Sequence, residues 1–200
     1  MTLEALKADT HRQYGDFTWK YLLIGFMTRR PFRPVVTLRL CQLTAASRTP
    51  FRVLLVPLKL LHRFSCGAAG VDLPWRTNIG AGIALTHGWG LVVNEYAKIG
   101  RNVTLFHGVT LGRRDRIAAD GARLTESPTI EDEVWIGPHA IIVGGITIGR
   151  GSRIGGGAFV TEDVPPWSVV TGNPGSIVKS GCKPDVMNPA PLPDTPGDRP

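Results

Sequence analysis

Three histidines in the middle of the 200-residue chain, His87, His107 and His139, are its best candidates for chemistry. An imidazole titrates near neutral pH, so it can accept a proton from a hydroxyl group and make that oxygen a nucleophile. Three converging imidazoles can instead bind zinc. A single histidine is more often a packed or surface side chain. The elements that carry these three residues must therefore decide which chemistry is available.

A six-residue repeat carries the histidines. Aliphatic residues recur at this spacing, apart from one eight-residue step and one long gap, at Ile79, Leu85, Leu91, Ile99, Leu105, Leu111, Ile130, Ile136, Ile142, Ile148, Ile154 and Val160. An amphipathic helix requires apolar spacings of three and four, and a half-buried strand requires two, so the repeat fits neither. It fits a triangular coil of three strand-and-turn units, because stacked coils align the aliphatic side chains in a continuous core.

The eight-residue step from Leu91 to Ile99 predicts a two-residue bulge in one coil. One coil of three units plus this bulge equals the twenty residues that separate His87 from His107. We therefore expect these two rings to stack in neighbouring coils. His139 stands at a different place in its unit, which disfavours a zinc site made by all three histidines.

Two further segments depart from the repeat. The segment 113–129 is too polar and irregular to form a coil, and it should project as a loop. The segment 183–200 contains six prolines and almost no large apolar residue, and we expect it to be disordered. The repeat domain is accordingly predicted to span residues 71–182.

The first 70 residues differ from the repeat in composition. Between Phe17 and Cys66 there are nine Lys or Arg and no Asp or Glu, and apolar residues recur at helical spacing from Phe51 to Leu61. This predicts a basic amphipathic helical cap over residues 1–70 that covers the first coil. Peripheral contact with an anionic membrane is a second role, since each Lys or Arg near such a surface contributes about 1 kcal/mol. Nucleic acid is disfavoured because the charge is confined to one segment.

Composition also bounds the cellular context. Three cysteines, an odd number without CxxC spacing, predict neither a disulfide framework nor a zinc knuckle. No charge-free apolar run approaches the roughly 18 residues of a membrane span, and the N-terminus lacks the pattern of a signal peptide. We expect a cytoplasmic protein, with peripheral contact at the inner membrane as the variant that the basic cap allows.

Over residues 71–179 the sequence resembles the hexapeptide-repeat acetyltransferases, and most closely their serine acetyltransferase branch. The motifs H-x-x-G at 87–90, GVTLG at 108–112 and GNP at 172–174 carry this resemblance, and their combination is far more specific than any one of them. The resemblance implies a mainly β fold, a left-handed parallel β-helix of hexapeptide repeats with a short N-terminal helical cap. It also implies acetyl-CoA as the donor, no metal, and a homotrimer.

The same resemblance implies roles for individual residues. His87 stands where the general base of the family stands, and Asp72 stands where the carboxylate that orients this base stands. His107 and Glu95 are expected to support the site. In the family, acetyl-CoA lies in a groove between two subunits of the trimer. The positions that match its contacts are Gly112, Arg113, Ala140, Gly145, Ala158 and Lys179.

Two departures from the family concern the acceptor. Thr86 stands where serine acetyltransferases have an acid before the catalytic histidine, and Glu126-Ser127 stands where they have Arg-His before a proline. Because those side chains hold serine, we expect another acceptor: a sugar hydroxyl of a polysaccharide or of its lipid-linked precursor, with Trp89 against the sugar. Serine O-acetyltransferase and amino-sugar N-acetyltransferase are the alternatives. A zinc enzyme of the carbonic-anhydrase type and a scaffold with a decayed site are the competing classes.

Overall fold

Four helices precede the coils in the computed structural model, which describes residues 2–47 and 51–191. The Thr18 hydroxyl caps the second helix by accepting a hydrogen bond from the Tyr21 N–H at 3.0 Å. Gly70 ends the fourth helix with φ at +67°, a conformation that glycine adopts without strain. The helices are α1 Thr2–Tyr14, α2 Trp19–Thr28, α3 Phe32–Ala46 and α4 Leu55–Ala69, and a 3₁₀ helix, Phe51–Leu54, precedes α4.

Short strands follow the helices, and most of them form the sides of a triangular coil. They are β1 Asn78–Ile79, β2 Ala84–Thr86, β3 Val92–Val93, β4 Lys98–Ile99, β5 Thr104–Phe106, β6 Thr110–Gly112, β7 Arg114–Ile117, β8 Arg123–Glu126, β9 Thr129–Ile130, β10 Trp135–Ile136, β11 Ile141–Val143, β12 Thr147–Ile148, β13 Arg153–Ile154, β14 Phe159–Val160, β15 Val169–Thr171 and β16 Ser176–Lys179. The first side is β1-β4-β9-β12, the second is β2-β5-β10-β13-β15, and the third is β3-β6-β11-β14. Neighbours within each side are parallel. The antiparallel strand β16 extends the second side.

The core lies inside this triangle, where the register aligns the repeated aliphatic side chains. On the second side, for example, Leu85 pairs with Leu105, and Ile136 pairs with both Leu105 and Ile154. All twelve aliphatic residues of the predicted repeat are at most 7% exposed. The repeat period therefore predicted the core correctly. Each buried side chain of this size contributes about 1.5–3 kcal/mol to folding.

The extra residues of the first coil lie in a different place from the one that we predicted. Val93, not Leu91, pairs with Leu111 on the third side. Eight residues therefore separate Leu85 from Val93, and the insertion falls in the corner immediately after His87 instead of between Leu91 and Ile99. Leu91 is fully buried in either register, which is why the sequence pattern did not locate the insertion.

The projecting segment is a β-hairpin, not an irregular loop. Strands β7 and β8 pair in antiparallel register, with Arg114 opposite Glu126. Exposed ion pairs cross the hairpin, from Arg116 to Glu126 at 2.9 Å and from Arg123 to Asp115 at 3.0 Å. The polar composition that excluded a coil is thus compatible with a two-stranded ribbon in solvent.

A buried ion pair holds the helices on the first coil. The Arg39 Nε atom lies 2.8 Å from Asp9 Oδ2, and both side chains are at most 2% exposed. Asp9 also accepts hydrogen bonds from the Gly82 and Ile83 N–H groups, and Arg39 donates to the Ile79 carbonyl. Together these bonds join α1, α3 and the turn between β1 and β2. The four α-helices all lie between residues 2 and 69, so a mainly β fold with a short cap understates the helical part.

The segment 183–191 has no regular secondary structure, but it contacts the body of the protein. Ala190 is buried, and its N–H donates to the Asn102 side chain at 3.0 Å. Asp185 pairs with Arg153 at 2.8 Å, and Arg12 donates to the Met187 carbonyl. The prediction of disorder over 183–200 does not describe these residues, and residues 192–200 lie outside the described part of the chain. In the described ranges, no helix is long and apolar enough to cross a membrane.

Candidate active site

One corner of the coil, between its second and third sides, carries all three candidate histidines. The ring centroids of His87 and His107 lie 6.1 Å apart, and those of His107 and His139 lie 4.9 Å apart, each pair at nearly right angles. The predicted stacking of His87 and His107 in neighbouring coils is therefore correct. His87 and His139 are exposed, whereas His107 is half-buried between them.

His139 lies closer to His107 than its place in the repeat predicted, and the reason is local. The register places His139 beside Gly108, one residue past His107, because His139 N–H donates to the His107 carbonyl at 2.9 Å. A Cβ atom on Gly108 would lie 2.2 Å from His139 Nδ1. The missing side chain at Gly108 therefore lets the His139 ring turn toward His107. The glycine after His107 was the available signal.

The backbone of this corner is left-handed at two non-glycine residues, with φ of +62° at His87 and +58° at His139. Non-glycine residues seldom adopt this conformation, but other turns of the coil do so as well, at Asn102 and Glu133. Trp89, inside the two-residue insertion, lies against Gly70, where a Cβ atom would be 2.4 Å from the indole. The insertion thus presents His87 outward and turns Trp89 back over the end of α4.

The surroundings of His107 differ from those of the two exposed histidines. The His107 Nδ1 atom is buried and has no hydrogen-bond partner within the described residues. An unpartnered buried nitrogen carries a desolvation penalty of about 1–3 kcal/mol, which a ligand or a second subunit can remove. Although the three rings are adjacent, the described residues contain no group of three or more His, Cys, Asp or Glu that could hold a metal ion.

Asp72 lies beside this corner, at the start of the third side. It is exposed and forms a parallel bridge with Val92, next to β3. Within the described part of the chain, no hydrogen bond joins the Asp72 carboxylate to the His87 ring. The predicted base and its orienting acid are thus neighbours on one surface, without the predicted pairing in the isolated chain.

Glu95 lies at the next corner of the coil, between the third and first sides, so one chain does not bring it to His87. The base of the hairpin occupies the same corner, where the Ser127 hydroxyl donates to Asn94 at 3.2 Å. Glu126 packs over Gly145, where a Cβ atom would lie 2.9 Å from the Glu126 Cβ. The two corners therefore hold separate parts of the predicted site.

The positions predicted to contact the donor fall into two groups. Gly112, Arg113, Gly145 and Lys179 are partly or fully exposed. Ala140 and Ala158 are 0% exposed, and their carbonyl groups accept hydrogen bonds from Thr110 and Ile141 in neighbouring coils. Neither alanine therefore has an exposed atom that the donor could contact in this structure, because the small second residue of each repeat points into the core.

A cavity of about 410 Å³ lies beside the histidine corner. The helical cap forms one wall and the first coil forms the other. Its lining residues are Gln13, Thr28, Arg29, Arg30, Pro31, Phe32, Leu85, His87 and Trp89. Neither arginine was a candidate site residue on sequence grounds, because nothing in the sequence distinguishes these two from the other basic residues of the cap.

Comparisons with known proteins connect this geometry to a family. Residues 127–162 match the family described as bacterial transferase hexapeptide (six repeats). The chain is 38% identical over 143 residues to serine acetyltransferase from Bacillus subtilis (strain 168), which covers 70% of this chain and 64% of that protein. Soybean serine acetyltransferase complexed with serine is 32% identical, with a TM-score of 0.66, and the match covers 88% of this chain and 68% of that one. Serine acetyltransferase in complex with coenzyme A from Brucella abortus strain S19 is 28% identical, with a TM-score of 0.70, over 90% of this chain and 68% of that one.

These relatives correct one prediction and refine another. Transfer to a polysaccharide sugar is wrong, because the relatives in sequence and in structure are serine acetyltransferases. The changes at Thr86 and at Glu126-Ser127 do not outweigh the coils that the chain shares with these relatives. The coil is a left-handed β-helix with an N-terminal helical region.

The chain spans less than two thirds of the length of the Bacillus subtilis protein. It belongs to the hexapeptide-repeat transferase family, in which serine acetyltransferases are its homologues.

Proposed function

We propose that this protein transfers the acetyl group of acetyl-CoA to the hydroxyl of serine. The observation that supports this most directly is the exposed His87 at a corner of the coil beside a cavity of about 410 Å³. The relatives add support, since one was solved with serine and another with coenzyme A. Exposed Arg113 and Lys179 have the charge to meet phosphate groups of the donor.

His87 is the proposed general base. Its imidazole accepts the hydroxyl proton while the oxygen forms a bond to the thioester carbonyl carbon. The carbon–sulfur bond then breaks, and the imidazolium returns the proton to the departing thiolate. Positioned proton transfer of this kind contributes about 10²- to 10⁴-fold to the rate. Asp72, on the same surface, is the proposed orienting carboxylate.

We further propose that the working site forms between subunits of a homotrimer. His87 lies at one corner of the coil, and Glu95 and the hairpin lie at another. Rotational symmetry can bring unlike corners of two copies together, which a single chain cannot do. The unpartnered His107 Nδ1 atom lies on the corner that such packing would cover.

The test is an acceptor panel with the purified protein. Release of free thiol from acetyl-CoA is followed with serine, threonine, a sugar nucleotide and an amino-sugar nucleotide, and products are identified by mass spectrometry. We expect serine to give the highest kcat/KM and O-acetylserine as the product. Preferential acetylation of an amino-sugar nitrogen, or thiol release that no acceptor stimulates, would contradict the proposal. The predicted cytoplasmic location stays a prediction.

A separate feature supports peripheral membrane contact, which we also propose. Five large apolar side chains at the start and along one side of α4 are 64–74% exposed; we call them the α4 face. They are Phe51, Val53, Val56, Leu60 and Phe64. Exposed Arg52 and Arg63 accompany them, and no acid occurs from residue 17 to residue 66. A second copy on this face would bring like charges together, whereas anionic lipid complements both the charge and the apolar surface.

Vesicle sedimentation tests the α4 face. Vesicles of phosphatidylglycerol and phosphatidylcholine should retain the protein at low salt, and vesicles of phosphatidylcholine alone should retain much less. Replacing Leu60 and Phe64 with glutamate should abolish retention, whereas Val178→Glu, at an exposed position on β16, should not. Equal binding to both vesicle types would refute the proposal. Concentration-dependent doubling of the assembly through this face, without vesicle binding, would identify a second copy as its partner.

A further inference from the structure

The turn between α2 and α3 places two arginines over the histidine corner. Arg29 and Arg30 line the same cavity as His87 and Trp89. The approach of this turn to the coil is close, because a Cβ atom on Gly88 would lie 2.9 Å from Pro31 Cβ. The cavity therefore lies between the helical cap and the proposed base.

Each arginine is held in place by a flat aromatic neighbour. The Arg30 guanidinium lies 4.3 Å from the centroid of the Trp89 ring and donates a hydrogen bond to the Ala68 carbonyl at 2.6 Å. The Arg29 guanidinium lies 4.9 Å from the centroid of the Tyr14 ring. A guanidinium has five N–H donors, so each group keeps donors for a ligand. Because stacking limits their motion, little entropy is lost when they bind.

The cavity has positive charge without a compensating acid. Its nine lining residues include two arginines and no Asp or Glu. At the next corner of the coil, which carries the hairpin, the chain has Glu126 and Ser127 in place of the Arg-His pair of serine acetyltransferases. Within the described residues of one chain, the arginines that line the cavity beside His87 are those of the cap.

We propose that Arg29 and Arg30 form an anion subsite, which holds the carboxylate of the acceptor while its hydroxyl faces His87. This inference rests on the proposed transfer to serine. Arginine matches a carboxylate with two parallel hydrogen bonds, and such charge-assisted bonds are stronger than neutral ones. The subsite gives Trp89, which lies in the insertion after His87, a role as the ring on which Arg30 stacks. Arg29 and Arg30 are accordingly residues that determine acceptor specificity.

Steady-state kinetics on the full chain test the subsite. We expect Arg29→Gln and Arg30→Gln each to raise KM for serine about tenfold or more, with kcat and the KM for acetyl-CoA nearly unchanged. Arg76→Gln is the matched control, because Arg76 also stacks on a tryptophan, Trp75, but lies outside the cavity. It should leave both KM values unchanged. Arg30→Lys should recover part of the loss, and thermal unfolding should show that all variants are folded.

Serine amide, which lacks the carboxylate charge, provides the second arm. The unmodified protein should use it at least tenfold less well than serine, and the Arg30→Gln variant should barely distinguish the two. A rise in the KM for acetyl-CoA instead would assign the arginines to donor phosphates and overturn the proposal. Unchanged KM for serine in both variants would overturn it as well.

Binding measurements separate this inference from the proposed function. Calorimetric titration of serine and serine amide into the same proteins requires no turnover. If the protein binds serine through Arg29 and Arg30 without acetylating it, the proposed function fails and the subsite stands. If it acetylates serine equally well in all variants, the subsite fails and the function stands. Absence of both binding and acetylation would reject both.

Discussion

The coil and the helical cap are held together by different kinds of contact. In the coil, each aliphatic side chain packs on an equivalent one above and below, as Ile136 packs between Leu105 and Ile154. The cap shares the apolar core, through side chains such as Phe32 and Leu38, and is also held by polar contacts that occur once, above all the buried pair of Asp9 and Arg39. A repeat distributes its stability over many similar interfaces, and the cap has no such repeated contact. The histidine corner lies where the two regions meet, so its geometry depends on both.

The largest expected effect is in the cap. Arg39→Met leaves the Asp9 carboxylate buried without its cation, and breaking a buried pair in this way costs about 3–5 kcal/mol of unfolding free energy. Urea denaturation measures the loss. In the double variant with Asp9→Leu, no unpaired charge remains, so part of the stability should return, but the Gly82 and Ile83 N–H groups lose their acceptor and the recovery should be incomplete. A loss below 1 kcal/mol in the single variant would mean that the pair does not hold the cap.

A core substitution in the coil should have a similar or smaller effect. Ile136→Ala removes a fully buried side chain and leaves a cavity, which costs about 2–5 kcal/mol. Ile136→Val removes one methylene group and should cost about 0.5–1.5 kcal/mol. Urea denaturation of both variants gives this gradation. If the two variants lost equal stability, the ladder of packed side chains would not be the source of coil stability.

The junction of the two regions can be tested at Gly108. Gly108→Ala places a methyl group 2.2 Å from His139 Nδ1 at a φ of +67°, and the φ alone costs roughly 1–2 kcal/mol. Gly121→Ala is the control, since φ is +81° there and no atom lies within 4 Å. We expect the Gly108 variant to lose more stability in thermal unfolding. It should also shift the NMR signals of the His139 ring, and equal effects in both variants would contradict this packing.

The smallest effect concerns the pH dependence of the cap. Burial lowers the pKa of His62 below its ordinary value of 6.5, although its hydrogen bond to the Leu73 carbonyl opposes the shift. The unfolded chain therefore takes up a proton at a higher pH than the folded one. The contribution of His62 to stability is full above pH 6.5 and is lost as the pH falls below that value. The thermal midpoint should fall less between pH 7.5 and 5.5 in His62→Gln than in the unmodified protein.

The sequence predicted the coil and its core, because a strict six-residue period has one simple structural solution. It did not predict which corner contains the insertion, since Leu91 and Val93 are both buried and either can serve as the repeated aliphatic. It also did not predict that His139 joins the corner, because this depends on the absence of a side chain at Gly108.

The cap shows a different limit. Its helices follow from local patterns, but its docking depends on contacts between residues far apart in the chain, such as Arg39 with Asp9 and with the Ile79 carbonyl. No period marks such contacts. For the same reason, Arg29 and Arg30 did not stand out among the basic residues until the cavity beside His87 was visible.

The most direct test of the account is the effect of His87→Gln on acetyl transfer to serine. Glutamine keeps the size and polarity of the side chain but cannot act as a base near neutral pH. We predict that kcat/KM for serine falls about 10²- to 10⁴-fold, while the KM for acetyl-CoA changes little. A variant that retains the kcat/KM of the unmodified protein would contradict the assignment of His87 as the general base.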